Sequence, residues 1–355
     1  MASTNEYDQM ASDIRRPAMV QTDGALDTRE LIRCATLAAS SHNTQPWKFR
    51  VEQDSITVLP DFSRRCPAVD PDDSHLFKSL GCAAENIVHA ALAQGFSADI
   101  RFDPDEGGVI VNLSRVATPH ATDLYRAIFQ RQCVKDAYDG TSLSQSELEK
   151  LEKAGEGRNV RAIMLLSEAQ KSTIIDYVTQ GDIAQLTDRT FRDELVSWIR
   201  FNPGEALHTG DGLSGRTSGQ PALPRWLAKW IIGLALTPKG QAETDARNIR
   251  SSAGVAVFVS SHNDKATWVE VGRVYERFAL QAAALDVRTA FINQPIEVHS
   301  LRPQFESWLN LDGEHAQLMV RFGHGSTAPF SLRRPIADVI IVDQTAEVVG
   351  NDLAV

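Results

Sequence analysis

Ser40-Ser41-His42-Asn43-Thr44-Gln45-Pro46-Trp47 joins two segments of different period. Before it, apolar residues recur at helical spacing (Leu31, Ile32, Ala35, Leu37, Ala38). After it they alternate (Trp47, Phe49, Val51). The stretch therefore reads as a helix, a tight polar turn and a strand. Its side chains are hydrogen-bonding in unbroken series, and Pro46 fixes φ and removes a backbone donor. Two readings fit such a turn: a surface that holds something polar and flat, or a capped helix end leading into a strand.

Outward from the turn, helices and strands alternate, which indicates α/β or α+β layers. Residues 27–39 read as a helix with Asp27 or Thr28 as N-cap, 47–52 and 55–59 as strands, and 74–94 as a long central helix rich in small residues. Short strands follow near 97–103 and 109–114. A second unit then reads as helices at 121–130 and 144–154, the latter with a Ser144/Glu147 capping box, and a strand at 160–166. Residues 168–200 read as helical with a weak point at Gly181, 202–222 as a long loop, and 223–236 as a helix. Beyond these come a strand at 254–260, a helix at 265–285, a strand at 287–292, a helix at 297–309, and strands at 316–322 and 336–342. Residues 1–25 read as a polar arm and 343–355 as a tail. The capped helices at 26–40 and 143–157 each precede a strand, as an old duplication would leave them.

Composition bounds the function. The chain has 355 residues, 43% hydrophobic and 23% charged, with a net charge of −10. That length allows two domain-sized units or one interwoven one. An acidic chain lacks the footprint of a nucleic-acid binder and disfavours anionic membranes. No apolar run reaches membrane-spanning length. Cys34, Cys66, Cys82 and Cys133 form no C-x-x-C pair, which argues against a structural zinc site and a disulfide framework. The expected setting is the cytoplasm.

Other motifs carry two readings each. Gly210-Asp211-Gly212-Leu213-Ser214-Gly215 fits G-x-G-x-x-G but lacks the strand before and the helix after that a dinucleotide fingerprint needs, so it reads as a flexible loop. Arg131 and Lys135 are either a clamp for a phosphate or ring edge, or a solvated helix terminus. Arg333-Arg334 before Pro335 are either bidentate phosphate ligands or a charged edge. Asn293-Gln294-Pro295 ends a strand as a plain turn would. Trp226 and Trp230 share a helical face, as core, interface or substrate residues do. Metalloprotease, serine-hydrolase and P-loop signatures are missing from the sequence.

The Ser40–Trp47 string resembles the flavin-contacting turn of the nitroreductase family, and of its Acg-like branch in particular. The remaining motifs occur in that family's order from about 27 to 342. The resemblance implies an α+β nitroreductase-like fold in which two halves of one chain, 26–115 and 120–342, mimic the family's dimer. It also implies a lid-like insertion at about 202–245. It implies FMN held by Ser40, Ser41, His42, Asn43, Gln45, Arg131, Cys133, Lys135, Asn293, Gln294, Arg333 and Arg334. Within that set, a backbone N–H of Asn293 or Gln294 would face flavin N5, and Arg333-Arg334 would hold the phosphate. Cys133 stands where the family has a better donor. Trp226 and Trp230 would belong to the lid.

The implied activity is transfer of reducing equivalents from NADPH or NADH, through FMN, to a small acceptor such as a nitroaromatic or quinone, in ping-pong order. Alternatives are FMN sequestration with little turnover, and a specialised reduction such as reductive dehalogenation. The expected partners are small molecules, with no nucleic acid and no membrane, and the expected state is a monomeric pseudo-dimer or a homodimer.

Overall fold

The computed structural model describes residues 3–17, 25–116, 118–219 and 222–341. After α1 (Thr4–Ile14), the first half runs α2 (Thr28–Thr36), β1 (Trp47–Val51), β2 (Ser55–Pro60), α3 (Ser74–Ala93), β3 (Phe96–Asp103) and β4 (Gly108–Arg115). After α4 (Asp123–Ile128), the second half begins with α5 (Gln145–Ala154), β5 (Glu156–Gly157) and β6 (Val160–Leu165). An insertion follows, made of α6 (Glu168–Thr187), α7 (Arg189–Trp198), β7 (Ile199–Arg200), α8 (Pro203–Thr209), β8 (Leu213–Ser214), α9 (Arg225–Ala235) and α10 (Pro238–Arg250). The half closes with β9 (Gly254–Ser260), α11 (Lys265–Ala284), β10 (Val287–Phe291), α12 (Gln294–Glu297), α13 (Arg302–Trp308), β11 (His315–His324), α14 (Ile336–Val339) and β12 (Ile340–Ile341).

The two five-stranded sheets have the orders β12-β1-β2-β4-β3 and β10-β11-β9-β6-β5. Apart from β12 and β5, each half arranges its four strands in the same order: first, second, fourth, third. In each, a long helix links the second strand to the third, α3 in one and α11 in the other. These helices cross at glycines in matching positions. A Cβ on Gly81 would stand 2.0 Å from the Val269 carbonyl oxygen, and one on Gly272 would stand 1.8 Å from that of Lys78. Only glycine lets the two backbones approach this closely. The Cys82 thiol donates to the Gly272 carbonyl at 3.2 Å across the same crossing. At the far edge β12 pairs in parallel with β1, Phe49 opposite Ile340. The end of the second half thus completes the sheet of the first, and the fold is an α+β pseudo-dimer within one chain.

Several expectations are corrected. Part of the polar arm is α1, started by a Ser3/Glu6 capping box and anchored by the fully buried Tyr7. Tyr7 Oη donates to the Phe330 carbonyl at 3.0 Å. The expected helix over 168–200 is two helices, broken at Asp188, which caps the second. Gly181 is no weak point: a Cβ there would lie 2.5 Å from Cβ of Gln294, so it is the glycine that lets α12 reach α6. The expected loop over 202–222 contains α8, β8 and a 3-10 turn. Helix α10 was not anticipated, although Thr237 as N-cap and Pro238 in its first turn are ordinary start signals. The helix expected over 297–309 is α12 and α13. The strand expected at 336–342 is a helical turn followed by only two paired residues. The tail at 343–355 lies outside the described residues. No helix among the described residues is long and apolar enough to cross a membrane.

Candidate functional site

Helix α2 delivers the turn, and its last carbonyls need donors. Arg333 supplies them: Nε donates to the Thr36 carbonyl at 2.6 Å, and Nη2 donates to Leu37 at 3.0 Å and Ala38 at 3.3 Å. Its Nη1 donates to Ser331 Oγ and the Leu332 carbonyl. Arg131 Nη2 adds a bond to the Leu37 carbonyl at 2.8 Å and pairs through Nε with Glu276 at 2.9 Å. Arg15 donates to the carbonyls of Ile128 and Arg131. Glu276 accepts from the Ala39 N–H at 3.3 Å. All four charged groups are buried. Burial, then the Arg131 charge, lowers the Arg333 guanidinium to about 9, and burial with the charges of Arg333 and Arg131 holds Arg15 well below its usual range. The cluster fixes the helix end. Both arginines expected to meet the cofactor here spend their donors on protein, so Arg333 is not a free phosphate clamp.

The turn itself is strained. His42, Asn43 and Gln45 have φ of 48°, 54° and 53°, a left-handed region costing L-residues roughly 1–2 kcal/mol each. Such strain persists where the surroundings over-determine it. Ser40 Oγ accepts from the Gln45 N–H at 3.0 Å. Asn43 Nδ2 donates to the carbonyls of Gly212 and Leu332. Gln45 Nε2 donates to the Gly210 carbonyl at 2.9 Å, and its Oε1 accepts from the Arg334 N–H at 2.9 Å. Arg334 in turn donates to the carbonyls of Gln45 and Asp338.

The loop at 210–212, expected to be flexible, is therefore seated on the turn. Gly210 and Gly212 have φ of 64° and 75°, and Cβ atoms there would meet backbone at 2.7 Å and 2.4 Å. Asp211 is buried between Arg200 and Arg64. Beside the turn, a cleft lined by Ser41, Thr44, Arg64, Cys66 and Asp70 has a volume of about 10 Å³, room for about one water.

Other polar atoms remain unpaired. His42 Nε2 is buried without a hydrogen bond. Burial, then the Lys135 charge, lowers its pKa to about 4, so the ring is neutral near pH 7. Lys135 and Cys133 are exposed, on a segment whose Cys133 bridges in parallel to Thr289 of β10. Asn293 Oδ1 accepts from the Met319 N–H at 2.7 Å, so its side chain is committed. Gln294 opens α12, where its N–H has no helical partner.

Three residues missed in the sequence belong here: Glu276, described above, with Asp182 and Asp245. Arg321, a further candidate cation that the sequence places on the surface, is instead buried beside them. Gln294 Nε2 donates to Asp182 at 3.0 Å and to Asp245 at 3.1 Å, from α6 and α10. Burial, then the charge of Asp245, raises the Asp182 carboxyl to about 7. Burial raises Asp245 as well. The pair therefore holds a proton near neutrality. Arg321 Nη2 binds the carbonyls of Val134, Lys135 and Asp136, while Nη1 is buried and unpaired. Trp226 and Trp230 are 75% and 67% exposed. They form an outward face of α9 rather than a buried box.

The structure thus brings the turn, 131–135, 293–294 and 333–334 together, but in two roles. Asn43, Gln45, Arg131, Arg333 and Arg334 build the frame. His42, Lys135, Gln294 and Arg321 keep polar atoms or charge to offer. For the FMN that the resemblance implies, the second set fits a polar ring edge.

No family model matches the chain. It is similar to two proteins of Mycobacterium tuberculosis, from strains CDC 1551 / Oshkosh and ATCC 25618 / H37Rv, both named "Putative NAD(P)H nitroreductase". Identity to each is 24% over an alignment 348 residues long, with coverage of 93% of this chain and 96% of the relative. Among solved structures, a nitroreductase with bound FMN from Desulfitobacterium hafniense aligns at 13% identity and a TM-score of 0.37, over 62% of this chain and 99% of that one. The NADPH:FMN oxidoreductase of Vibrio harveyi, complexed with NAD+, aligns at 10% identity and 0.39, over 63% and 78%. The similarity runs along nearly the whole length of the two Mycobacterium tuberculosis relatives, and their printed names agree with the nitroreductase resemblance of the Ser40–Trp47 turn.

Proposed function

We propose that this chain is an FMN-dependent oxidoreductase. It takes reducing equivalents from NADPH or NADH and passes them to a small organic acceptor, donor and acceptor using one pocket in turn. The observation that carries the reading is the strained Ser40–Gln45 turn, held rigidly against 333–334 and facing the Lys135 charge, in a chain similar throughout to proteins named as NAD(P)H nitroreductases. Bound FMN would supply the hydride chemistry. Ser41, Lys135, Gln294 and Arg321 would hold it at its polar edge, with His42 adding no charge beside it. Asp182 and Asp245 would hold one proton near neutral pH, tied to the site through Gln294.

A second reading, FMN sequestration with little turnover, is favoured by one observation: the 210–212 loop covers the turn and consumes the side chains of Asn43 and Gln45. An absorption spectrum of the purified protein, followed by anaerobic NADPH and then NADH, separates the two. A flavin band that bleaches fast supports the reductase, with nitroaromatics and quinones as acceptors to screen. A band that persists with both donors selects sequestration. No band after reconstitution with FMN overturns both.

A further inference from the structure

We propose that His42, Cys66 and Glu194 form a binding site for one thiophilic divalent cation of the zinc class. A ring nitrogen of His42, Sγ of Cys66 and a carboxylate oxygen of Glu194 lie within 4.8 Å of one another. They come from three distant segments: the strained turn, the loop after β2, and α7 of the insertion. This is why the cysteine spacing alone points away from zinc.

The side chains are prepared as ligands. His42 Nε2 is buried with no hydrogen bond, an arrangement that costs free energy unless something pairs with it. The ring is neutral near pH 7, so no proton competes for its lone pair. Glu194 is oriented by the segment that carries Cys66: Oε2 accepts from the Ala68 N–H at 2.8 Å and Oε1 from the Val69 N–H at 3.1 Å. Such outer hydrogen bonds fix ligand geometry.

Burial, then the Glu194 charge, raises the Cys66 thiol, which stays protonated while no cation is bound. A dication reverses that balance. The S–H proton leaves to solvent as the metal–sulfur bond forms, and no redox change is involved. One thiolate, one carboxylate and a neutral imidazole then cancel the 2+ charge, which a buried site favours. Donor atoms around a tetrahedral zinc stand about 3.5 Å apart, so side-chain shifts of about 1 Å close the set. Three protein ligands leave a fourth position open. The one-water cleft that touches Cys66 is placed to supply it. The bound ion would pin the insertion to the turn of the other half.

Cobalt(II), titrated into the full chain after chelator treatment, tests this without reference to flavin. The expected result is one cobalt per chain with thiolate-to-metal charge-transfer absorption, and a melting temperature that rises with zinc. Cys66→Ser should abolish the band. Triple replacement of Cys34, Cys82 and Cys133 by serine should leave it. Glu194→Gln should weaken cobalt binding at least tenfold. Absence of the band, its survival in Cys66→Ser, or its loss in the triple variant with Cys66 intact and folded would overturn the proposal. If Cys66→Ser does not fold, Glu194→Gln decides, and unchanged cobalt affinity overturns it.

Discussion

The two halves share a sheet order and a central helix, yet differ in one connection. The first joins its first two strands by a hairpin turn, the Glu52 N–H bonded to the Ser55 carbonyl. The second places residues 166–253 between β6 and β9, which still pair in unbroken register from Leu165 opposite Val255 to Val160 opposite Ser260. Loop-closure cost grows only slowly with length, so a hairpin tip can accept a domain-sized insertion without disturbing the ladder. The difference teaches where function was added. The first half keeps the strained turn, and the second half's insertion seats its 210–212 loop on that turn, brings Glu194 to the segment that carries Cys66, and sets Asp182 and Asp245 against Gln294.

The strongest test of the comparison is at the helix crossing. Gly272→Ala puts a methyl 1.8 Å from the Lys78 carbonyl oxygen, and both partners are helix backbone that cannot rotate away. It should cost more than the ~3 kcal/mol of ordinary overpacking, read as a fall in the urea midpoint. An unchanged midpoint would break the claim that the halves dock through these glycines. Next comes Arg131→Ala, which leaves Glu276 buried without its 2.9 Å partner. Removing one member of a buried pair costs about 3–5 kcal/mol, and calorimetry against the wild type measures it. A loss under about 1 kcal/mol would mean the cluster does not hold the end of α2.

A milder break separates insertion from turn. Gly212→Ala, at φ 75° and 2.4 Å from the Trp198 carbonyl oxygen, should cost about 2 kcal/mol. Its mark would be faster hydrogen exchange at Asn43 and Gln45 with the two sheets still protected. Uniform acceleration would instead mean that the seat is part of the global core.

The Asp182 pair predicts a shape rather than a size. Its folded pKa, about 7, lies above the unfolded value. Its stabilising contribution is therefore full below the unfolded pKa and is lost as pH rises through about 7. Buried His75, whose pKa is lowered by burial and Lys78, pushes the opposite way, so the difference between wild type and Asp182→Asn is the quantity to follow. That difference should change steadily from pH 4 to 7 and flatten above; a flat profile throughout would remove the proton-holding role. The smallest effect belongs to Trp226→Ala and Trp230→Ala, at exposed positions, which should shift stability by no more than about 0.5 kcal/mol each. A larger loss on thermal melting would show that α9 is covered in solution.

What the sequence by itself determined is local. The helix before the turn, the Ser144/Glu147 capping box, the long small-residue helix and the strand periods all rest on residues a few positions apart, whose backbone preferences and caps act within one element. The turn was legible for the same reason, since its polar run and Pro46 are contiguous. The start of α10 is legible too, in Thr237-Pro238. Only the tertiary structure decided which polar side chains are spent and which remain. Arg333 bonds to carbonyls of Thr36 to Ala38, Gln45 to Gly210 and Gln294 to Asp182 and Asp245, each across more than forty positions. Partner choice and desolvation are set by what folding brings alongside, and a guanidinium reads the same in sequence whether it faces a phosphate or the end of a helix.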